Sequence, residues 1–205
     1  MFLIEILSLI GTSAFAISGA LSGIKKKLDI FGIIVLAIIT SSGGGLLRDI
    51  IIGRNMPVLF VEPKYIIISI ISALIVCVAL PYITRIKLFI LIFDAVGLGI
   101  FTIYTAQVAI ECGIPFIGTI FVSVLAGTGG GIIRDVLLCE VPLILRSEIY
   151  AVAAIAGCIL FKILYNIIEL NINFYISTSL IFIIRMISLH FKFNLPVIKS
   201  NNDDK

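Results

Sequence analysis

Five ionisable residues stand where an apolar chain has least use for them. Arg48-Asp49, Asp94 and Arg134-Asp135 all lie inside long hydrophobic runs. A charge at the centre of a bilayer costs about 2.5–3.5 kcal/mol on insertion scales, so such residues normally face a bundle interior or a water-filled path. No nucleophile–base pair, metal-ligand spacing or phosphate-cradling loop accompanies them, and the sequence carries no cofactor motif. The chemistry on offer is electrostatic: attracting, excluding or holding ions.

A triple glycine precedes each Arg-Asp pair, Gly43-Gly44-Gly45 in one case and Gly129-Gly130-Gly131 in the other. Glycine opens backbone angles closed to other residues and lowers helical preference by about 1 kcal/mol relative to Ala. Unwinding at the triplets would free carbonyl oxygens, which a membrane tolerates only beside a cavity or inside protein. Carbonyls at the ends of half-helices form a surface that favours cations or an ammonium group. Thr40, Ser41 and Ser42 beside the first triplet, with Ser123 and Thr128 near the second, suit a hydrated path. The expectation is a helix break at both triplets; close packing of two helices through small residues is the simpler alternative.

The charged residues of the motif admit two uses. Adjacent helical positions diverge, so the Arg and Asp of each pair are expected to find different partners. The arginine is either a cationic gate in the path or a tie for carbonyls freed by the break. Asp94 is read as an acid attracting cations at the inner mouth, or as a helix cap or partner of Lys87. Arg185 is placed close enough to a membrane face to snorkel. The four cysteines, Cys77, Cys112, Cys139 and Cys158, show no paired spacing and are read as small packing residues.

These residues belong to a duplicated unit. The second glycine motif follows the first after 86 residues, and Pro57 and Tyr65 recur as Pro142 and Tyr150 at an offset of 85. Phe15, Ala16 and Gly19 resemble Phe93, Asp94 and Gly97 more weakly, at an offset of 78. The chain divides into a first three-helix repeat (1–86), a second (87–169), a seventh helix (170–192) and a tail (193–205). With three spans per unit, the second copy must enter the membrane in the opposite direction, the arrangement of proteins that move solutes across bilayers.

Composition demands the membrane. Of 205 residues, 60% are hydrophobic and 13% charged, and mean hydropathy is +1.25, well outside the range of soluble domains. A net charge of +3, scattered among loops, gives no footprint for nucleic acid. About 20 apolar residues span a bilayer core. Seven stretches qualify, near 2–24, 30–52, 65–84, 88–108, 115–138, 149–168 and 174–191. The first is too long for a cleaved signal and lacks its basic start. One side then gathers Lys25, Lys26, Lys27, Arg85, Lys87, Arg146, Lys192, Lys199 and Lys205, against Arg54, Lys64 and Lys162 on the other. This bias predicts an external N-terminus and a cytoplasmic C-terminus.

The doubled G-G-G-x-x-R-D motif in about 200 residues with seven spans resembles the bacterial branch of the trimeric intracellular cation (TRIC) channel family, also catalogued as glycine transporter. The stretch from Arg185 to Leu195-Pro196 is similar too, and the resemblance covers residues 2–196. It implies an all-α polytopic protein of the plasma (inner) membrane, with two inverted three-helix repeats and a final helix. Helices two and five would be kinked at the glycines and line one pore per subunit of a homotrimer. It also implies passive passage of K⁺ and Na⁺. Cys139 departs from the pattern, since the first copy has Gly53 there, which puts the turn after the fifth helix in question. Secondary transport of glycine or another small neutral solute is the alternative, because inverted repeats also serve alternating access. A non-conducting membrane scaffold is the third reading.

Overall fold

The computed structural model describes residues 2–146 and 149–191. Lys192, Lys199, Lys205, the Leu195-Pro196 stretch and the tail 193–205 lie outside the described residues. Seven helices of 16 residues or more make the body: α1 (Phe2–Lys25), α2 (Ile30–Ile52), α3 (Lys64–Ala79), α4 (Ile86–Glu111), α5 (Phe116–Leu137), α6 (Ile149–Leu164) and α7 (Leu170–Phe191). Single helical turns at Val58–Val61 and Leu143–Arg146 lead into α3 and α6, and a 3₁₀ turn, Leu80–Tyr82, extends α3.

Local chemistry sets the ends. Asp29 caps α2 by accepting the Gly32 N–H at 2.7 Å. Gly53, at φ 79°, closes the same helix in the left-handed conformation. Gly113, at φ 74°, does so just past α4. Among the described residues six helices, counting α3 with its 3₁₀ turn, are long and apolar enough to cross a membrane. α6 is the exception: its 16 residues reach about 24 Å at 1.5 Å per residue. That is short of a hydrocarbon core of about 30 Å. α7 begins four residues earlier than the sequence suggests, because Asn173, a polar residue just before the expected start, is satisfied inside the fold. Asn173 is fully buried and donates to the Phe161 carbonyl at 2.8 Å, while its Oδ1 receives the Ser177 hydroxyl at 3.1 Å.

The expected helix breaks are absent. α2 and α5 run as uninterrupted α-helix through Gly43–Gly45 and Gly129–Gly131. The triplets serve contact instead. α2 and α5 cross with their backbones touching: a Cβ on Gly44 would lie 2.0 Å from the Ala126 carbonyl oxygen, and one on Gly130 would lie 2.0 Å from that of Thr40. Contacts of 44 with 126 and of 40 with 130 mean that the helices pass in opposed directions. At this separation any side chain would strike main chain, so small residues are required whether or not the helix bends.

Two apolar clusters flank the crossing. One holds Ala16, Ala20, Leu21, Ala37, Ala73 and Val76, between α1, α2 and α3. The other holds Leu98, Ile103, Ala153, Phe161, Phe174 and Ile181, between α4, α6 and α7. α1 and α4 also pack on each other, and α7 lies against α4 and α6. Large side chains such as Ile75, Val78, Ile117 and Phe121 point outward, as a lipid-facing surface requires.

The substitution at Cys139 leaves the backbone unchanged. Cys139 adopts φ 53°, its N–H meets the Val136 carbonyl, and the Glu140 N–H reaches that of Asp135. Gly53 and Arg54 make the same two bonds to Ile50 and Asp49. The turn survives, at a steric cost of about 1–2 kcal/mol for a left-handed non-glycine. Cys139 and Cys112 are exposed, whereas Cys158 is buried and Cys77, half-buried, packs against the cluster between α1, α2 and α3, so the packing role expected for all four holds for two.

Candidate functional site

Arg48 and Asp49, where α2 enters its last turn, are almost wholly enclosed. The Arg48 Nε and Nη2 both lie 2.8 Å from Asp49 Oδ1. The other Asp49 oxygen accepts the Val58 N–H at 2.9 Å, capping the helical turn that follows Pro57. Arg54 approaches the same carboxylate at 3.8 Å. The guanidinium also lies over the Tyr104 ring, 5.0 Å from its centroid.

Beside Arg48 is a cavity lined by Ser8 and Thr12 of α1, Ser41, Ser42 and Gly45 of α2, and Tyr65, Phe101 and Tyr104. Its volume is about 40 Å³. That suffices for a few waters at about 10–15 Å³ each. Ser41 bonds the Ser69 hydroxyl at 2.7 Å, and Ser8 bonds the Tyr65 hydroxyl at 3.1 Å. Ser8, Tyr65 and Tyr104 also wall a larger vestibule of about 380 Å³, which holds Glu5, Arg54, Glu62, Lys64, Gln107 and Glu111. The two spaces therefore share a wall that carries the hydroxyl groups of Ser8, Tyr65 and Tyr104.

The second motif repeats the first bond for bond. Arg134 Nε lies 2.8 Å from Asp135 Oδ1, and Asp135 Oδ2 accepts the Leu143 N–H at 2.8 Å, after Pro142. The surroundings differ. Arg134 Nη1 also donates to Asp94 Oδ1 at 2.8 Å and to the Ser18 hydroxyl at 2.7 Å, and the Tyr150 hydroxyl donates to Asp94 Oδ2 at 2.5 Å. Arg185 covers the Tyr150 ring, 4.5 Å from its centroid. Where the first copy has Ala16 and a cavity, the second has Asp94 and a closed ion-pair network.

Three expectations are corrected here. Arg and Asp of each pair bind each other, since the long guanidinium arm folds back over its neighbour once the carboxylate is fixed by the following turn. Asp94 is no lone acid and has no bond to Lys87; it is 1% exposed and shared by Arg134 and Tyr150. Arg185 is fully buried and does not snorkel.

Of the hydroxyl residues singled out by sequence, Ser41 and Ser42 line the cavity. Thr40 bonds the Leu36 carbonyl inside the helix crossing. Thr128 bonds Val124 and faces an apolar groove of α5 and α6, and Ser123 is buried away from the cavity. The lining residues that sequence reasoning missed are Ser8, Thr12, Tyr65 and Tyr104. Ser8 and Thr12 stand four apart on one face of the largely apolar α1, which is a readable signal. Tyr65 was visible only as a marker of the duplication.

The charged ends of the bundle also separate. Lys25 and Lys26 reach Glu140 at 3.9 and 2.9 Å at one end, tying the α1–α2 turn to the end of α5. At the other end Lys64 pairs with Glu5, and with Glu62 at 2.5 Å.

A helical membrane protein with two like-built Arg-Asp corners and a glycine-mediated crossing at its centre is the class this geometry defines. The glycine transporter family model matches residues 5–81 and 91–166. The chain belongs to that family, the bacterial branch of the TRIC channels. It is 36% identical over 201 residues to the UPF0126 membrane protein YvgT of Bacillus subtilis, covering 94% of this chain and 95% of the relative. Among solved structures, a prokaryotic TRIC channel crystallised in 0.5 M KCl superposes with a TM-score of 0.90. It is 36% identical and covers 95% of this chain and 100% of its own. The TRIC trimeric intracellular cation channel orthologue from Rhodobacter sphaeroides also gives 0.90, at 30% identity, covering 94% and 100%.

Proposed function

We propose that the protein is a passive channel for monovalent cations, K⁺ and Na⁺, with one pore in each subunit of a homotrimer in the inner membrane. The observation that carries this reading is the alignment of the vestibule with the cavity at Ser41, Ser42 and Arg48, the two sharing Ser8, Tyr65 and Tyr104 as a common wall. Three carboxylates at the wide end favour cations. Hydroxyls on the shared wall can replace part of a hydration shell, while Arg48 opposes accumulation of cations at the narrow end. This path stops at the α2–α5 crossing, where Gly44 and Gly130 bring main chain against main chain, so conduction requires these helices to part. The solved relatives are described as cation channels, which supports the channel part of this reading.

A carrier of glycine or another small solute would need a coupling acid. Asp94, buried among the helices, is committed to Arg134 and Tyr150 instead, which favours the channel. Purified protein in a planar bilayer should give discrete current steps that grow with KCl and reverse at the Nernst potential for K⁺ under a gradient. Saturable, gradient-driven glycine uptake with no unitary steps would replace the channel with the carrier.

Residues 1–86 and 87–169 act as two inverted units, with the vestibule end outside and the Lys25–Lys26–Glu140 end cytoplasmic, by the bias in basic residues. Native thiols test this without mutagenesis. Cys112 is exposed at the end of α4 on the vestibule side, and Cys139 is exposed beside Glu140. In intact cells an impermeant maleimide should label Cys112 and spare Cys139 until the membrane is opened. The reverse pattern would invert the topology.

A further inference from the structure

The vestibule already holds a cation, and it belongs to the chain. Lys64 begins α3, and its ammonium lies between the carboxylates of Glu5 and Glu62, one at the start of α1 and one just before α3. Across the same space Gln107 is 8% exposed and donates through Nε2 to Glu111 at 2.8 Å. Its Oε1 has no hydrogen-bond partner among the described residues. The vestibule therefore offers oxygen ligands on two walls, one occupied by an ammonium group and one with an oxygen left over.

We propose that Lys64 is a tethered counter-cation that competes with permeant ions for the mouth and thereby sets the rate of cation entry. The proposal rests on the channel reading. A K⁺ ion entering the vestibule meets three carboxylates, Glu5, Glu62 and Glu111, offset by Arg54 and Lys64, so the net charge is one negative. Two of the three carboxylates are already committed to Lys64. An ammonium is close to K⁺ in charge and size, so whatever holds Lys64 also suits the ion. Because Lys64 is covalently attached it cannot pass, and because it is about one-third exposed it can be displaced. Loose competition of this kind keeps ions from binding too tightly to leave, a requirement of conduction. It also protects the mouth from divalent cations, which two free carboxylates would hold.

The test is single-channel recording on Lys64→Gln, Lys64→Gln/Glu5→Gln and Glu111→Gln in KCl at about 10 mM and about 1 M, where the screening length falls from about 30 Å to about 3 Å. Lys64→Gln should raise unitary conductance two- to threefold at the low concentration and leave it unchanged at the high one. It should also introduce block by millimolar Ca²⁺ from the vestibule side. The double variant restores the net charge and should return both properties to wild type. Glu111→Gln spares the Lys64 pair and should lower conductance at low salt, so it tests the vestibule charge even if Lys64→Gln fails to assemble. Wild-type currents with unchanged or reduced low-salt conductance in Lys64→Gln, or, should that variant fail to assemble, no effect of Glu111→Gln, would overturn this inference alone. Absence of unitary current in the wild type would instead remove the channel reading and the inference with it.

Discussion

Gly44→Ala and Gly130→Ala should each destabilise the folded protein by at least about 3 kcal/mol, whereas Gly45→Ala should be neutral or slightly stabilising. The new methyl at 44 or 130 would stand 2.0 Å from a carbonyl oxygen of the opposite helix. Main chain cannot rotate aside, so α2 and α5 must separate, and overpacking of this severity lies at or beyond the usual range of about 1–3 kcal/mol. At Gly43 and Gly129 the nearest atoms are the ends of Ile133 and Leu47, at 2.8 and 2.6 Å. Flexible side chains can yield there, and the cost should be intermediate. At Gly45 nothing lies closer than 3.8 Å, and Ala is the better helix former by about 1 kcal/mol. Thermal unfolding in detergent, followed by loss of helical circular dichroism or of the assembled species, measures the series. Equal effects at 44 and 45 would show that the triplet acts through backbone flexibility, as the sequence first suggested, and not through the crossing.

That contrast marks where the sequence could be read and where it could not. Apolar runs interrupted by Lys25-Lys26-Lys27, by Pro57 and by Arg85 located the seven helices to within a few residues, since hydrophobic length and turn residues are local properties. The duplication was legible for the same reason, and it extends to atomic detail in the paired Asp49–Val58 and Asp135–Leu143 bonds. Glycine was ambiguous. Flexibility and smallness call for the same residue, and only the position of the opposite helix distinguishes them. Partners of buried charges were equally hidden: Ser18, Asp94, Arg134 and Tyr150 are drawn from four helices, and no spacing rule connects them. Asp94 looked isolated because its ligands lie 40 and 56 residues away.

The two arginines of the repeated motif should separate into different functions when neutralised. Arg134→Gln removes the shared partner of Asp94 and Asp135 and leaves Asp94 the Tyr150 hydroxyl as its hydrogen-bond donor, with Arg185 behind the Tyr150 ring, in a site where the acid is 1% exposed. Breaking a buried ion pair from one side costs about 3–5 kcal/mol, because the remaining charge has no solvent. The variant should therefore unfold at markedly lower temperature, and Arg134→Gln/Asp94→Asn should recover part of the loss by removing the stranded carboxylate. Arg48→Gln leaves Asp49 with the Val58 N–H and with Arg54, 3.8 Å away and able to close in. The adjoining cavity can also supply water. Its stability cost should be nearer the 1–3 kcal/mol of a lost charged hydrogen bond. Its conductance should change more, rising several-fold, since a unit charge about 4 Å from a passing cation opposes it by roughly 1–4 kcal/mol between water-like and surface-like dielectrics. Unfolding temperature and unitary K⁺ current, measured on both single variants and the double, separate the two roles. If Arg48→Gln and Arg134→Gln lose stability equally and neither alters conductance, the cavity beside Arg48 is not part of the ion path.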